Sequence, residues 1–335
     1  MAGSGPAHRT RGRRKSIFML IDYAAITHVG RVRKNNEDAY LVSALDGDEP
    51  LVNGLGPMPQ LCQAGILAAV ADGMGGAASG EIAAREGLAS IAVNLFGHWG
   101  RFPAHQASEK ALLRALKHAV EEASSAILRY ADTERASRGM GSTLTAAVIW
   151  KGHAYIAQVG DSRAYVFRKP RLVQITEDQT LVRQMIASGQ ITPEEARTHP
   201  QRSMITQALG CPVPIQAVVS RVALRRGDRL LISSDGLHGE LSETFIADVL
   251  MDSPSAGLCL ERLAEAALAR GGRDNLTGLL LTLDDPGLAM PDPFEAVRIV
   301  EPTLPVHRDT RPTDDKPVDT RPLFDRLGRL LRRDS

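Results

Sequence analysis

Strand-like runs arrive in blocks along this chain, and helix-like runs arrive in pairs. The first block holds "SIFMLIDYAAITHVG", "DAYLVSAL" and "AGILAAVAD", each short and rich in β-branched or apolar residues. Two long alanine-rich stretches follow, about 79–97 and 107–136, with apolar residues at helical spacing. A second block, "STLTAAVIW", "HAYIAQVG", "SRAYVFRK" and "LVQIT", reads as a hairpin series. A polar helical insert over roughly 178–210 separates it from "IQAVVSRVAL" and "DRLLISSDG". Helices near 241–251 and 255–270 then precede a last strand, "LTGLLLTL". This order favours antiparallel sheets flanked by helical hairpins over a βαβ alternation, which places the chain in the α+β class.

Composition bounds the rest. With 43% hydrophobic residues in 335, the chain can bury a substantial core. Forty basic and 39 acidic residues leave a formal net charge of +1, which gives no whole-protein attraction to nucleic acid or to an anionic membrane. Three scattered cysteines (Cys62, Cys211 and Cys259) argue against a disulfide framework or thiolate zinc site and fit a reducing compartment. The basic start followed by "IFMLI" is too short for a signal peptide's apolar region, and Asp22 interrupts it. No stretch approaches the roughly 18 apolar residues of a spanning helix. The expectation is a cytoplasmic monomer.

Three regions follow from these shifts in character. Residues 1–17 read as a disordered basic arm, 18–285 as the globular domain, and 286–335 as a proline-rich linker ending in a short amphipathic helix. Eight prolines fall between Pro286 and Pro322. In "PLFDRLGRLLRRDS", Leu323, Phe324, Leu327, Leu330 and Leu331 share one helical face opposite four arginines. A frayed helix folded back on the core is the favoured reading; a docking helix or weak membrane-surface contact is the alternative.

Four apolar runs meet an aspartate flanked by tiny or polar residues: "LAAVADG", "IAQVGDSR", "LLISSDG" and, in reverse order, "GGRDNLTGLLL". A single Asp-Gly is most often a turn, as Asp46–Gly47 is expected to be. Gly73, Gly75 and Ala78 also satisfy a dinucleotide-binding G-x-G-x-x-A. Against that reading, no acid lies between residues 87 and 108 to hold a ribose, and Asp72 would repel a pyrophosphate. Repetition changes the balance. Asp72, Asp161, Asp235 and Asp274 would each stand at a sheet edge, and Glu37 and Asp38 begin another strand. So many anions can share a site only with cations. Oxygen ligands without a His or Cys cluster point to Mg²⁺ or Mn²⁺.

Taken in order, "RVRKNNEDA", "VADGMGG", "GSTLTAAV", "VGDSRAY", "ISSDGL" and "GGRDNLT" resemble the metal-dependent serine/threonine protein phosphatases of the 2C type, in their bacterial branch. The similarity runs through about residues 20–284. It implies an αββα sandwich, two antiparallel sheets flanked by helical hairpins, with a two-metal centre at one end. By motif, Asp72 bridges both ions, Asp235 and Asp274 hold the first, and Glu37 with the Gly73 carbonyl holds the second. Asp38 hydrogen-bonds metal-bound water or is itself a ligand, and Asp161 belongs to a weaker third site. Arg33 matches the arginine that grips the substrate phosphate, a task suited to its planar fork. The implied reaction is hydrolysis of phosphoserine or phosphothreonine in phosphoproteins by a metal-activated water, without a covalent intermediate. Such an enzyme would oppose a bacterial serine/threonine kinase.

One departure stands out. Some relatives carry a histidine after the metal-binding Asp-Gly, where this chain has Met74. His238 and His199 are the substitutes that sequence proximity offers as acid for the leaving group, with a plain loop histidine the competing reading for each. The insert at 178–210 resembles the family's variable flap, which would shape substrate choice.

Overall fold

The computed structural model describes residues 21–45, 64–75, 79–100, 107–134 and 137–302. The basic arm, the Asp46–Gly47 turn and the helix expected near 323–331 lie outside them. The first block forms β1 (Ile21–His28), β2 (Asp38–Ala44) and β3 (Ile66–Met74). The first helical pair is α1 (Ser79–Leu95), which runs into a π-turn at Phe96–Gly100, and α2 (Glu109–Thr133). The hairpin series supplies β4 (Gly141–Ser142), β5 (Leu144–Trp150), β6 (His153–Val159), β7 (Arg163–Arg168) and β8 (Arg171–Gln174). The insert holds only two short helices, α3 (Leu181–Ala187) and α4 (Pro193–Thr198), with turns, irregular segments and the single β-bridges Thr180–Ile205 and Ser142–Leu209 around them. After β9 (Val218–Ala223) and β10 (Arg229–Ser233) come α5 (Asp235–His238), α6 (Glu243–Asp252), α7 (Ala256–Ala269), β11 (Leu276–Leu283) and β12 (Ile299–Val300).

Two antiparallel sheets result, ordered β1-β11-β10-β7-β8 and β12-β9-β6-β5-β3-β2, with β4 pairing β3 off the second path. Side-chain alternation assigns the layers. On β3, Leu67, Ala69 and Ala71 face the cluster filled by α1 and α2, while Ile66, Ala68 and Val70 face the other sheet. On β7, Ala164 and Val166 point between the sheets, and Tyr165 and Phe167 point towards α6 and α7. Three apolar layers therefore separate helices, sheet, sheet and helices, the αββα sandwich. Strands buried on both faces have no solvent side, which is why their sequences read as near-continuous apolar runs. Each fully buried leucine in these layers contributes roughly 2 kcal/mol.

The helices are bounded by local chemistry. Ser108, Ser242 and Ser255 cap α2, α6 and α7, each hydroxyl accepting a bond from the amide three residues on. Along α2, Leu112, Leu116, Ala119, Val120, Ala123 and Ile127 form the buried stripe.

Residues 286–302, the start of the proline-rich stretch, lie along the sandwich. Glu295 forms a two-pronged ion pair with Arg225 at 3.0 and 2.6 Å, and β12 adds to the edge of the second sheet beside β9. A two-residue strand after three prolines carries no periodic signal, so the sequence reading ends the packed unit at 285.

Candidate metal centre

Strand register gathers the acidic residues before any side chain is considered. The start of β2 pairs with the end of β3, the end of β6 with the start of β5, and the end of β10 with the start of β11. The end of β1 also meets the start of β11. The segments carrying Glu37, Asp72, Asp161, Asp235 and Asp274 therefore emerge at one end of the sandwich. They surround a cavity of about 470 Å³, lined also by Arg33, Gly73 and Met74. Asp38 lies just behind the lining, buried, as the direct cross-strand partner of Asp72.

Neutral hydrogen bonds hold this frame. The Asp72 amide donates to Thr143 Oγ1 at 3.0 Å, and its carbonyl accepts from Ser142 Oγ at 3.0 Å and from the Thr143 amide at 2.8 Å. Thr143 Oγ1 lies 2.8 Å from Ser162 Oγ, which joins the Asp72 strand to the Asp161 turn. Ser234 donates to Asp38 Oδ2 at 2.7 Å while its oxygen accepts from the Thr277 amide at 2.9 Å. Asn275 clamps the loop before β2. Its Oδ1 accepts from the Glu37 amide at 2.8 Å, and its Nδ2 donates to the carbonyls of Val29 at 2.8 Å and Asn35 at 2.9 Å. Gly73 is required by close approach, because a Cβ there would lie 2.0 Å from the Gly80 carbonyl oxygen. None of Thr143, Ser162, Ser234 and Asn275 carries a chemical signal of its own in the sequence, although each sits inside a quoted motif and the last three adjoin a carboxylate.

The electrostatics are those of crowded anions. Burial, then the fields of Asp38, Asp235, Asp161 and Asp274, push the Asp72 carboxyl well above the usual range. Burial likewise raises Asp38 and Asp161 to about 7 and, with Asp274 adding to it, Asp235 to about 6. Like charges directly opposite across a ladder are unfavourable, and Asp38 and Asp72 are such a pair. Asp38 Oδ1 and Asp235 Oδ1 are buried without a hydrogen-bond partner among the described residues. A set of hard oxygen donors, mutually repelling and with two orphaned oxygens, fits divalent cations of the Mg²⁺ and Mn²⁺ type. As they stand, no three His, Cys, Asp or Glu side chains among the described residues are gathered tightly enough to enclose an ion. Arg33 Nη2 sits at the mouth instead, 2.7 Å from Asp274 Oδ2.

Neither histidine substitute reaches the cavity. His238 is buried with Nδ1 3.1 Å from Ser233 Oγ, its ring near that of Tyr165, and burial drags its pKa to about 3. Starting a one-turn helix at Asp235 turns position 238 inward, which spacing in sequence does not reveal. His199 Nδ1 accepts from the Gln201 amide within the insert. The insert does reach the site, through Ser203 and Ile205 in the cavity wall.

An αββα sandwich with a carboxylate-lined cavity at one end of its sheets defines a class of fold, and comparison with known proteins narrows it. The family model for Protein phosphatase 2C matches residues 59–279, and the chain belongs to that family. It is 35% identical over 272 residues to the serine/threonine protein phosphatase PstP of Mycobacterium tuberculosis, a match covering 80% of this chain and 46% of PstP. The chain thus spans about half the length of that relative. The serine/threonine phosphatase stp of Listeria welshimeri is 33% identical, with 76% of this chain and 93% of that protein covered. Among solved structures, the catalytic domain of PstP in complex with two manganese ions superposes with a TM-score of 0.64 at 33% identity, covering 80% of this chain and all of that one. No helix among the described residues is long and apolar enough to cross a membrane.

Proposed function

We propose that this protein is a metal-dependent phosphoprotein phosphatase that hydrolyses phosphoserine and phosphothreonine with an activated water and no covalent intermediate. The carrying observation is the convergence of Glu37, Asp72, Asp161, Asp235 and Asp274, from five distant segments, on one cavity with Arg33 at its mouth. The named activity of the relatives and the two manganese ions of the PstP complex support the same reading.

In this reading Asp72 would be shared between two Mn²⁺ or Mg²⁺ ions, Asp235 and Asp274 would hold the first, Glu37 and the Gly73 carbonyl would hold the second, and Asp161 would belong to a weaker third. Bound ions supply an acidified water and offset the charge that builds on the phosphoryl oxygens. Asp38, with Oδ2 engaged by Ser234, keeps Oδ1 to accept a hydrogen bond from the attacking water. Arg33 leaves Asp274 to clamp two phosphate oxygens, which orients the ester for in-line attack. With Met74 lining the cavity and His238 buried, the leaving serine or threonine oxygen takes its proton from water. The catalytic unit, 18–285 with the packed strand through 302, works as a cytoplasmic monomer on the targets of a serine/threonine kinase.

Phosphate release from a phosphothreonine peptide in the presence of Mn²⁺ tests this. Wild type should turn over and Asp235→Asn should lose at least about a hundredfold in kcat/KM, the scale of removing one electrostatic element of a catalytic site. Indistinguishable rates would overturn the assignment.

A further inference from the structure

The cavity interior is acidic, but its rim is not. On one wall Arg31, Arg33 and Lys34 follow one another, all exposed, and Lys34 itself lines the cavity. Arg33 is engaged with Asp274, whereas Arg31 and Lys34 make no ion pair within 4.0 Å among the described residues. Arg31 is also held in place: its amide donates to the Gly272 carbonyl at 2.7 Å, and its stem packs over Gly272, two residues before Asp274. Another part of the wall comes from the insert. Exposed Arg202 precedes the cavity-lining Ser203, and it too has no acidic partner among the described residues.

That second stretch is fixed rather than loose. The Leu181 amide donates to the Met204 carbonyl at 2.8 Å, and the Met204 amide to the Gln201 carbonyl at 3.0 Å. The Thr206 amide reaches the Gln179 carbonyl at 2.7 Å, and Gln179 exchanges bonds with Gly160, its amide donating at 3.1 Å and its Oε1 accepting at 2.8 Å. Residue 160 adjoins Asp161, so the turn bearing Arg202 is tied to the acidic centre. A phosphorylated side chain entering the cavity would leave its flanking residues beside two stretches of rim that each carry cations without an acidic partner among the described residues.

We infer that Arg31, Lys34 and Arg202 form a basic rim that selects phosphopeptides with acidic residues flanking the phosphorylated position. This rests on the phosphatase reading above and deepens it by naming the substrate class. Electrostatic complementarity at a solvent-exposed rim acts through encounter and ground-state binding, so it appears in KM and falls away with salt.

The test compares two phosphothreonine peptides, one flanked by Asp and Glu and one by Asn and Gln, with an aryl phosphate that has no flanks. At low salt the wild type should favour the acidic peptide about fivefold in kcat/KM, the effect of one favourable exposed ion pair, and the gap should close at high salt. Lys34→Met with Arg202→Gln should shrink the gap by raising KM for the acidic peptide while leaving the amide-flanked peptide near its wild-type KM. Equal handling of the two peptides by wild type, or an equal loss on both in the double variant, would overturn the inference. If no substrate is turned over, the catalytic reading fails. Fluorescence anisotropy of the same two peptides on the wild-type protein then decides the rim separately, with equal affinities sinking it.

Discussion

Replacing Asn275 with alanine should loosen the loop that carries Arg33 and Glu37 without touching a carboxylate. The side chain is buried, and its amide makes three hydrogen bonds of 2.8 to 2.9 Å to Glu37, Val29 and Asn35. A net contribution near 1 kcal/mol for each gives about 3 kcal/mol. Orphaning a part-buried amide and two carbonyls adds to this, while water reaching the loop subtracts, leaving an expected loss of about 2–4 kcal/mol. Urea unfolding in the presence of a chelator measures the stability, and hydrogen exchange at the Glu37 amide reports the clamp locally. Asn94→Ala is the control: its amide donates only within its own helix, to the Ser90 carbonyl and hydroxyl. Where the loop opens without global unfolding, the exchange rate rises more than the stability falls. Unchanged Glu37 exchange together with a stability within about 0.5 kcal/mol of wild type, the scatter of ordinary surface substitutions, would refute the reasoning.

Two further outcomes follow from the site's charge. With divalent ions chelated, the folded carboxyls at about 7 (Asp38, Asp161) and about 6 (Asp235) hold protons that the unfolded chain has released by pH 5 or so. The folded state therefore binds more protons between about pH 4 and 7, and chelated protein should lose stability as pH rises through that window. Thermal melts at pH 5 and 7.5 check the sign, and Asp72→Asn, which removes the most crowded anion, should melt higher than wild type at pH 7.5 under chelation. Arg33→Lys keeps the charge but not the fork, so KM for a phosphopeptide should rise about tenfold or more in steady-state assays; unchanged KM would remove Arg33 from phosphate binding.

How far the sequence discloses this molecule depends on how each feature is written. A carboxylate that interrupts an apolar run is conspicuous, so Asp72, Asp161, Asp235 and Asp274 stand out together; the block order of strands and helices gives antiparallel sheets flanked by helical hairpins, and the family resemblance adds the sandwich. Thr143, Ser162, Ser234 and Asn275 stay hidden because small polar residues near turns are common and their bonds run between segments 19 to 246 positions apart. His238 misleads for a related reason: its direction is set by one turn of helix beginning at Asp235, a feature too short for periodicity to mark. The packing of residues 286–302 is equally invisible, since a two-residue edge strand and the Glu295–Arg225 pair leave no pattern amid prolines.

Diffraction from crystals grown with Mn²⁺, recorded at the manganese absorption edge, addresses the core of this account without reference to turnover. Two strong anomalous peaks should appear in the cavity, with Asp72 contacting both and Asp235, Asp274 and Glu37 divided between them. Peaks confined to other surfaces, or a cavity without manganese at concentrations that saturate any activity, would contradict it.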